Sequence, residues 1–216
     1  KLDRGRSDFD IGHVFAAVFS WELPVGRGRR FLRRSRGLAD TILGGWQLSG
    51  TARAYTGQPF TVRTVDVDEG IGESERPNRI RKGVPAALTG KRGVDFPWFD
   101  LTAFEQVPCA NPGQGGTCLE RSEYGFLPFD FGNAGRNILD GPGLVAVNLG
   151  LRKNVRMGEQ RSLQVRLDAF NVLNRTNFRL PDNYFNGITG GLINRVGDSG
   201  NQGGPRVFQA GVTYRF

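Results

Sequence analysis

The chain has 216 residues, with 29 Lys plus Arg against 21 Asp plus Glu for a formal charge of +8, and 38% of its residues are hydrophobic. That balance excludes a charge-dominated disordered tail, and one His with two Cys excludes a His/Cys metal cluster or a disulfide-dense mini-scaffold. Glycine, at 32 residues, is about twice as frequent as usual, and no charge-free stretch comes near the ~18 to 20 apolar residues of a membrane helix.

The chain starts at Lys1 in a charged run (Lys1, Asp3, Arg4, Arg6) with no apolar core behind it, so no signal peptide is expected in it. It reads as a processed form or an internal piece of something longer. A first strand is expected over 9–23, where Ile11, His13, Phe15, Ala17, Phe19 and Trp21 share a face. Val14, Ala16 and Val18 keep the contrast between its faces low. A basic turn follows, in which Arg27, Arg29, Arg30, Arg33, Arg34 and Arg36 account for most of the net charge. The second strand, over 44–56, alternates cleanly. Trp46, Leu48, Gly50, Ala52 and Ala54 take one face, and Gln47, Ser49, Thr51, Arg53 and Tyr55 the other.

Residues 57–143 read as a long loop rich in Gly, Pro, Asn and Asp. In it, WFDLTAFEQVP (98–108) is an aromatic patch expected to pack rather than to meet a ligand. Cys109 and Cys118 bracket eight residues, and the reading favours a disulfide over two free thiols. Closing so small a loop contributes ~2 to 3 kcal/mol against the unfolded chain.

Three further strands are expected over 144–155, 162–171 and 206–216. In the third strand Val145, Val147, Leu149 and Leu151 oppose Ala146, Asn148, Gly150 and Arg152. In the fourth, Leu163, Val165, Leu167 and Ala169 oppose Gln164, Arg166, Asp168 and Phe170. In the last, Phe208, Ala210, Val212, Tyr214 and Phe216 share one side. The third and fourth strands are joined by a short turn around Met157 to Gln160, whereas 172–205 is a second long Gly/Asn-rich loop.

Long structureless loops count against a compact soluble domain. Short turns at one end and long loops at the other are instead the layout of an outer-membrane β-barrel, and the strands have the ~9 to 11 residues that cross a bilayer when tilted. Running the last strand down into the periplasm places the basic turn and the 157–160 turn there too, with both long loops outside. Trp21, Trp46, Tyr214 and Phe216 then fall at the periplasmic interface, where aromatic girdles are expected. The expected fold class is all-β: about five long antiparallel strands of a transmembrane β-barrel. Arg53, Tyr55, Arg152, Arg166 and Asp168 are candidate lumen-lining residues, lining a solute path or pairing with one another.

Other motifs carry less. GDSGNQGGP (197–205) is similar to the GDSGGP of chymotrypsin-like proteases, but Asn201 and Gln202 interrupt the glycines and His13 has no matching surroundings. His13 alone is not a metal site. GRGRR (26–30) lacks the third Gly of a dinucleotide fingerprint, and KGVPAALTGKR (82–92) has the wrong interval for a P-loop. No catalytic residue, cofactor or metal is expected, and the basic turn lacks the stacking aromatics that nucleic acid would require. Attraction of the turn to anionic headgroups, at ~1 kcal/mol per basic residue, and a plain solvated turn both remain open.

FGNAGRNILDGPG (131–143), VNLGLRKN (147–154), LQVRLDAFNVLNRTNF (163–178) and LGGWQLSGTARAYTGQPFTV (43–62) resemble the barrel C-terminus of TonB-dependent receptors, and more closely the Oar-like subgroup, whose members often carry a carboxypeptidase-regulatory-like domain. The terminal Phe216, with Phe208, Ala210, Val212 and Tyr214 before it, looks like the signal read by the outer-membrane assembly machinery. The resemblance implies a 22-stranded barrel, an N-terminal plug with which the lumen residues would also pair, TonB as partner, outer-membrane lipid as surroundings, and uptake of a large or scarce solute. The chain, with about five strands and neither plug nor TonB box, is expected to be a C-terminal fragment, about a quarter of a barrel, that does not transport alone. The competing expectation is a soluble secreted β-sandwich binding carbohydrate or another polyanion.

Overall fold

Period-2 alternation of β-branched, aromatic and small residues builds long strands that place one side chain in two on each face. The computed structural model describes residues 4–34, 37–65, 76–83, 91–106, 132–158, 160–197 and 204–216. In chain order the strands are β1 (Val14–Glu22), β2 (Trp46–Tyr55), β3 (Pro59–Phe60), β4 (Asn78–Arg79), β5 (Phe104–Glu105), β6 (Leu139–Asp140), β7 (Leu144–Arg156), β8 (Ser162–Phe170) and β9 (Val207–Arg215). The short helix α1 (Leu38–Leu43) lies between β1 and β2, and a 3-10 turn (Leu101–Ala103) precedes β5.

The described residues divide into two compact units. The sheet unit comprises His13–Tyr55, Leu144–Asn177 and Gly197–Phe216, and the loop unit Lys1–Gly12, Thr56–Gly143 and Phe178–Val196.

In the sheet unit, β1, β2, β7, β8 and β9 form a single antiparallel meander in that order. The register keeps the faces apart. Phe19, Gly50, Leu149 and Ala169 are successive cross-strand partners on one face, and Ser20, Ser49, Gly150 and Asp168 on the other. Gly50 is glycine for a steric reason: a Cβ there would come within 2.5 Å of the Phe19 ring and 2.9 Å of Leu149. The first strand begins later than the alternation suggests. Asp10 N–H donates to Ser7 O (3.1 Å) and Ile11 N–H to Phe9 O (2.9 Å), turning the chain so that Ile11 and His13 precede β1.

Asparagines hold the ends of the long strands. Asn171, just after β8 and at φ 47°, donates from Nδ2 to Arg175 O (2.9 Å) and Gly204 O (2.6 Å), and its N–H donates to Asn148 Oδ1 (2.9 Å). Asn177 Oδ1 accepts from the N–H of Val145 (2.9 Å). Both are buried, so these bonds satisfy polar groups that are expensive to leave unpaired.

The loop unit corrects the expectation of a plain loop over 57–143. Among its described residues β3 pairs with β6 and β4 with β5, around an aromatic core. Phe60, Val62, Phe99, Ala103, Phe104 and Phe185 are all buried. Phe99 meets Phe104 edge to face at 5.8 Å, and Phe60 lies 5.7 Å from Phe99. The described part of the patch, 98–106, thus supplies structural packing. Trp98 donates from Nε1 to Asp140 O (2.8 Å), and the Arg92 guanidinium stacks over its ring at 4.3 Å, where burial lowers the Arg92 pKa from its usual value. Trp98, Phe99 and Phe104 come from the one aromatic patch visible in the sequence, whereas Phe60 and Phe185 join them from distant positions that no local pattern marks.

Candidate functional site

Alternation places the hydrogen-bonding side chains of five strands on one face of the sheet, and the register decides which of them meet. The sequence-predicted residues Arg53, Tyr55, Arg152, Arg166 and Asp168 all share this face. Three of them come together. Arg152 and Arg166 are direct cross-strand partners, an arrangement that like charges disfavour. The conflict is relieved by neighbours on the same face: Arg152 donates to Gln47 Oε1, and Arg166 pairs with Asp168 at 2.6 Å. Gln47 in turn donates to Ser20 Oγ (2.6 Å), and Ser49 to Gly150 O (3.3 Å). These groups line a concavity of about 230 Å³ on the polar face. Gly150 keeps it open, since a Cβ there would sit 2.9 Å from Asp168 Oδ1.

Arg53 and Tyr55 are not part of that cluster. They oppose Ala146 and Leu144 toward the other end of β2, about 13 Å or more from Ser49 at the usual rise per residue. Gln47 and Ser20, which complete the cluster, went unnamed as candidates, although Gln47 was already placed on the polar face by its alternation. Beyond the cluster, Gln164 donates to Asn154 Oδ1 (2.8 Å) and Asn148 to Thr51 Oγ1 (3.3 Å), so further side-chain pairs extend the polar surface.

The opposite face is apolar and uncovered. Phe15, Phe19, Trp21, Leu167, Phe208, Val212 and Tyr214 are all exposed on it. The register also assigns the faces of β1: Phe15 to Trp21 join this apolar side, while Val14, Ala16 and Val18 lie on the polar side. A large uncovered apolar surface marks contact with another apolar phase. Phe208, Ala210, Val212 and Tyr214 share it, and Phe216 continues past the strand with its ring stacked on Tyr214 at 6.1 Å.

One cation interrupts this apolar face. Lys153 follows Leu149 and Leu151 in the alternation, so its place on this face is legible in the sequence. Its Nζ donates to Ile42 O (3.1 Å) and Gly44 O, and lies 5.1 Å from the centre of the Trp46 ring.

Cys109 and Cys118, Arg36, and the Ser199 to Gln202 stretch lie outside the described residues.

No curated protein and no solved structure matches the chain. The model of an outer membrane beta barrel domain family matches residues 1–209. A sheet polar on one side and uncovered apolar on the other agrees with that match, and the soluble sandwich alternative falls with it. The chain therefore belongs to the outer membrane beta barrel domain family and resides in the bacterial outer membrane.

Proposed function

We propose that the chain is the C-terminal part of the barrel of a TonB-dependent receptor, of the Oar-like kind, that takes up a large or scarce solute. The observation that carries this reading is the two-sidedness of the meander, with a largely polar face backed by an apolar one. Under this reading the polar face lines the lumen. There Arg53, Arg152, Arg166 and Arg215 outnumber Glu22 and Asp168, a balance that favours anionic groups of solute or plug. Further strands complete the barrel, because β1 and β9 each present an open edge whose unpaired backbone groups cost several kcal/mol apiece in hydrocarbon. The ends of β1, β7 and β9 face the periplasm, and the long connections face outward. The assembly machinery reads the β9 terminus, TonB acts through an N-terminal part, and no nucleic acid or enzymatic chemistry is involved.

The test is made on the full-length protein. In planar bilayers it should stay closed and conduct only after urea loosens a plug, and in cells it should cross-link to TonB. A stable open channel without urea, together with no TonB adduct, would replace the receptor by a porin.

A further inference from the structure

We propose that the β1–β2 connection and the end of β7 form a seat for the phosphate of a glycerophospholipid headgroup. The seat is a cleft of about 320 Å³ within the sheet unit, lined by Arg27, Arg29, Lys153, Arg156 and Asp40 and floored by the close approach of Gly26 and Gly44. Arg29 is paired with Glu22 (2.7 Å) and Lys153 donates to the carbonyls of Ile42 and Gly44, so four cations stand against two carboxylates, Glu22 and Asp40, and Asp40 accepts from the backbone N–H of Arg27 (2.6 Å). The cleft is therefore complementary to an anion, and Arg and Lys are the side chains that hold phosphate oxygens.

The surroundings identify the anion as lipid. Phe31, Leu32, Leu38, Ile42 and Leu43 are exposed beside the cleft, with Arg30, Arg33 and Arg34 in the same connection. Apolar side chains interleaved with basic ones lie in a membrane interface, apolar parts in the acyl boundary and cations at the headgroups. A seat for free phosphate or nucleic acid has no use for exposed aliphatic residues. Trp21, Trp46 and Tyr214 mark the same end of the sheet as an interfacial aromatic belt. Lys153 gives the level independently. It projects from the apolar face, where a cation is tolerated near an interface and disfavoured at the midplane, so it stands at headgroup depth.

The choice of glycerophospholipid over lipopolysaccharide rests on the orientation in the proposed function, which turns this end toward the periplasm. An Arg30→Cys variant of the full-length protein tests that orientation separately. Labelling by a membrane-impermeant maleimide on intact cells would reverse it, and labelling only after the periplasm is opened supports it. For the seat itself, the purified full-length protein is titrated with phosphatidylglycerol in mixed micelles, and bound lipid is counted by native mass spectrometry. Replacing Arg27, Arg29 and Lys153 with Gln should lower retained phosphatidylglycerol by at least about tenfold, while Arg27→Lys with Arg29→Lys should retain it. Unchanged retention in the Gln variant, or retention of lipopolysaccharide in its place, overturns the proposal. Should the Gln variant not fold, the wild-type protein is photo-cross-linked to a phosphatidylglycerol carrying its reactive group in the head. Adducts within 25–45 and 153–156 are expected, and adducts confined to other segments overturn the proposal.

Discussion

Phenylalanine plays opposite parts in the two units. In the loop unit Phe99 and Phe104 are 1% and 0% exposed and pack against other rings, as in any water-soluble core. In the sheet unit Phe15 and Phe208 are 59% and 72% exposed on a face that none of that unit's described residues covers. The residue type is the same and the surroundings differ: one unit hides its apolar groups from water, the other presents them to lipid. Hydrophobicity alone therefore does not locate a core in this protein. What separates the cases is whether the apolar positions repeat every second residue along a long strand.

Substitutions in the full-length protein can break this contrast. Phe104→Ala should destabilise the loop unit by about 3–5 kcal/mol, the cost of emptying a large buried site, whereas Phe208→Ala should cost about 1–2 kcal/mol, the lost transfer of the ring from water to lipid with no cavity left behind. Urea unfolding in vesicles with limited proteolysis of the loop segments measures both. Equal effects would mean that the two environments are alike.

Leu167→Arg, on the apolar face of β8, should cost about 2–4 kcal/mol near the bilayer midplane. The same replacement at Gln164, on the polar face, should be close to neutral. Gly50→Val sharpens the packing side of the comparison. Its side chain would press on the Phe19 ring and Leu149, at an expected cost of about 1–3 kcal/mol. Recovery of that stability in a Gly50→Val, Phe19→Ala double variant would show that the ring is the obstacle. Asp168→Asn should have the smallest effect, about 0.5–1 kcal/mol, by leaving Arg166 opposite Arg152 without its carboxylate. The loss should shrink in high salt, which screens the repulsion between exposed guanidinium groups.

Deleting Phe216 tests biogenesis rather than stability. It should reduce outer-membrane levels of the full-length protein several-fold, measured by fractionation. Normal levels would detach the terminal aromatic from the assembly signal.

The long strands were legible because alternation is local: ten residues suffice to show that Trp46, Leu48 and Gly50 face one way and Gln47 and Ser49 the other. The shared face of Arg53, Tyr55, Arg152, Arg166 and Asp168 was legible for the same reason. What alternation cannot state is register. Arg152 opposes Arg166 only because β7 and β8 pair across a tight turn, and Arg53 is removed from them only by its distance along β2. The late start of β1 escaped notice because Ile11 and His13 keep its phase while backbone hydrogen bonds bend the chain.

By itself, then, the sequence determined the period, the faces and the aromatic residues at one end of the strands, all consequences of side chains alternating along an extended chain. The tertiary structure decided the rest. It brought Phe60 and Phe185 from distant positions onto the Phe99–Phe104 patch, set Gln47 between Ser20 and Arg152, and brought Lys153 against the carbonyls of Ile42 and Gly44. Those contacts join residues tens of positions apart, and only chain closure across the intervening segments brings them within reach.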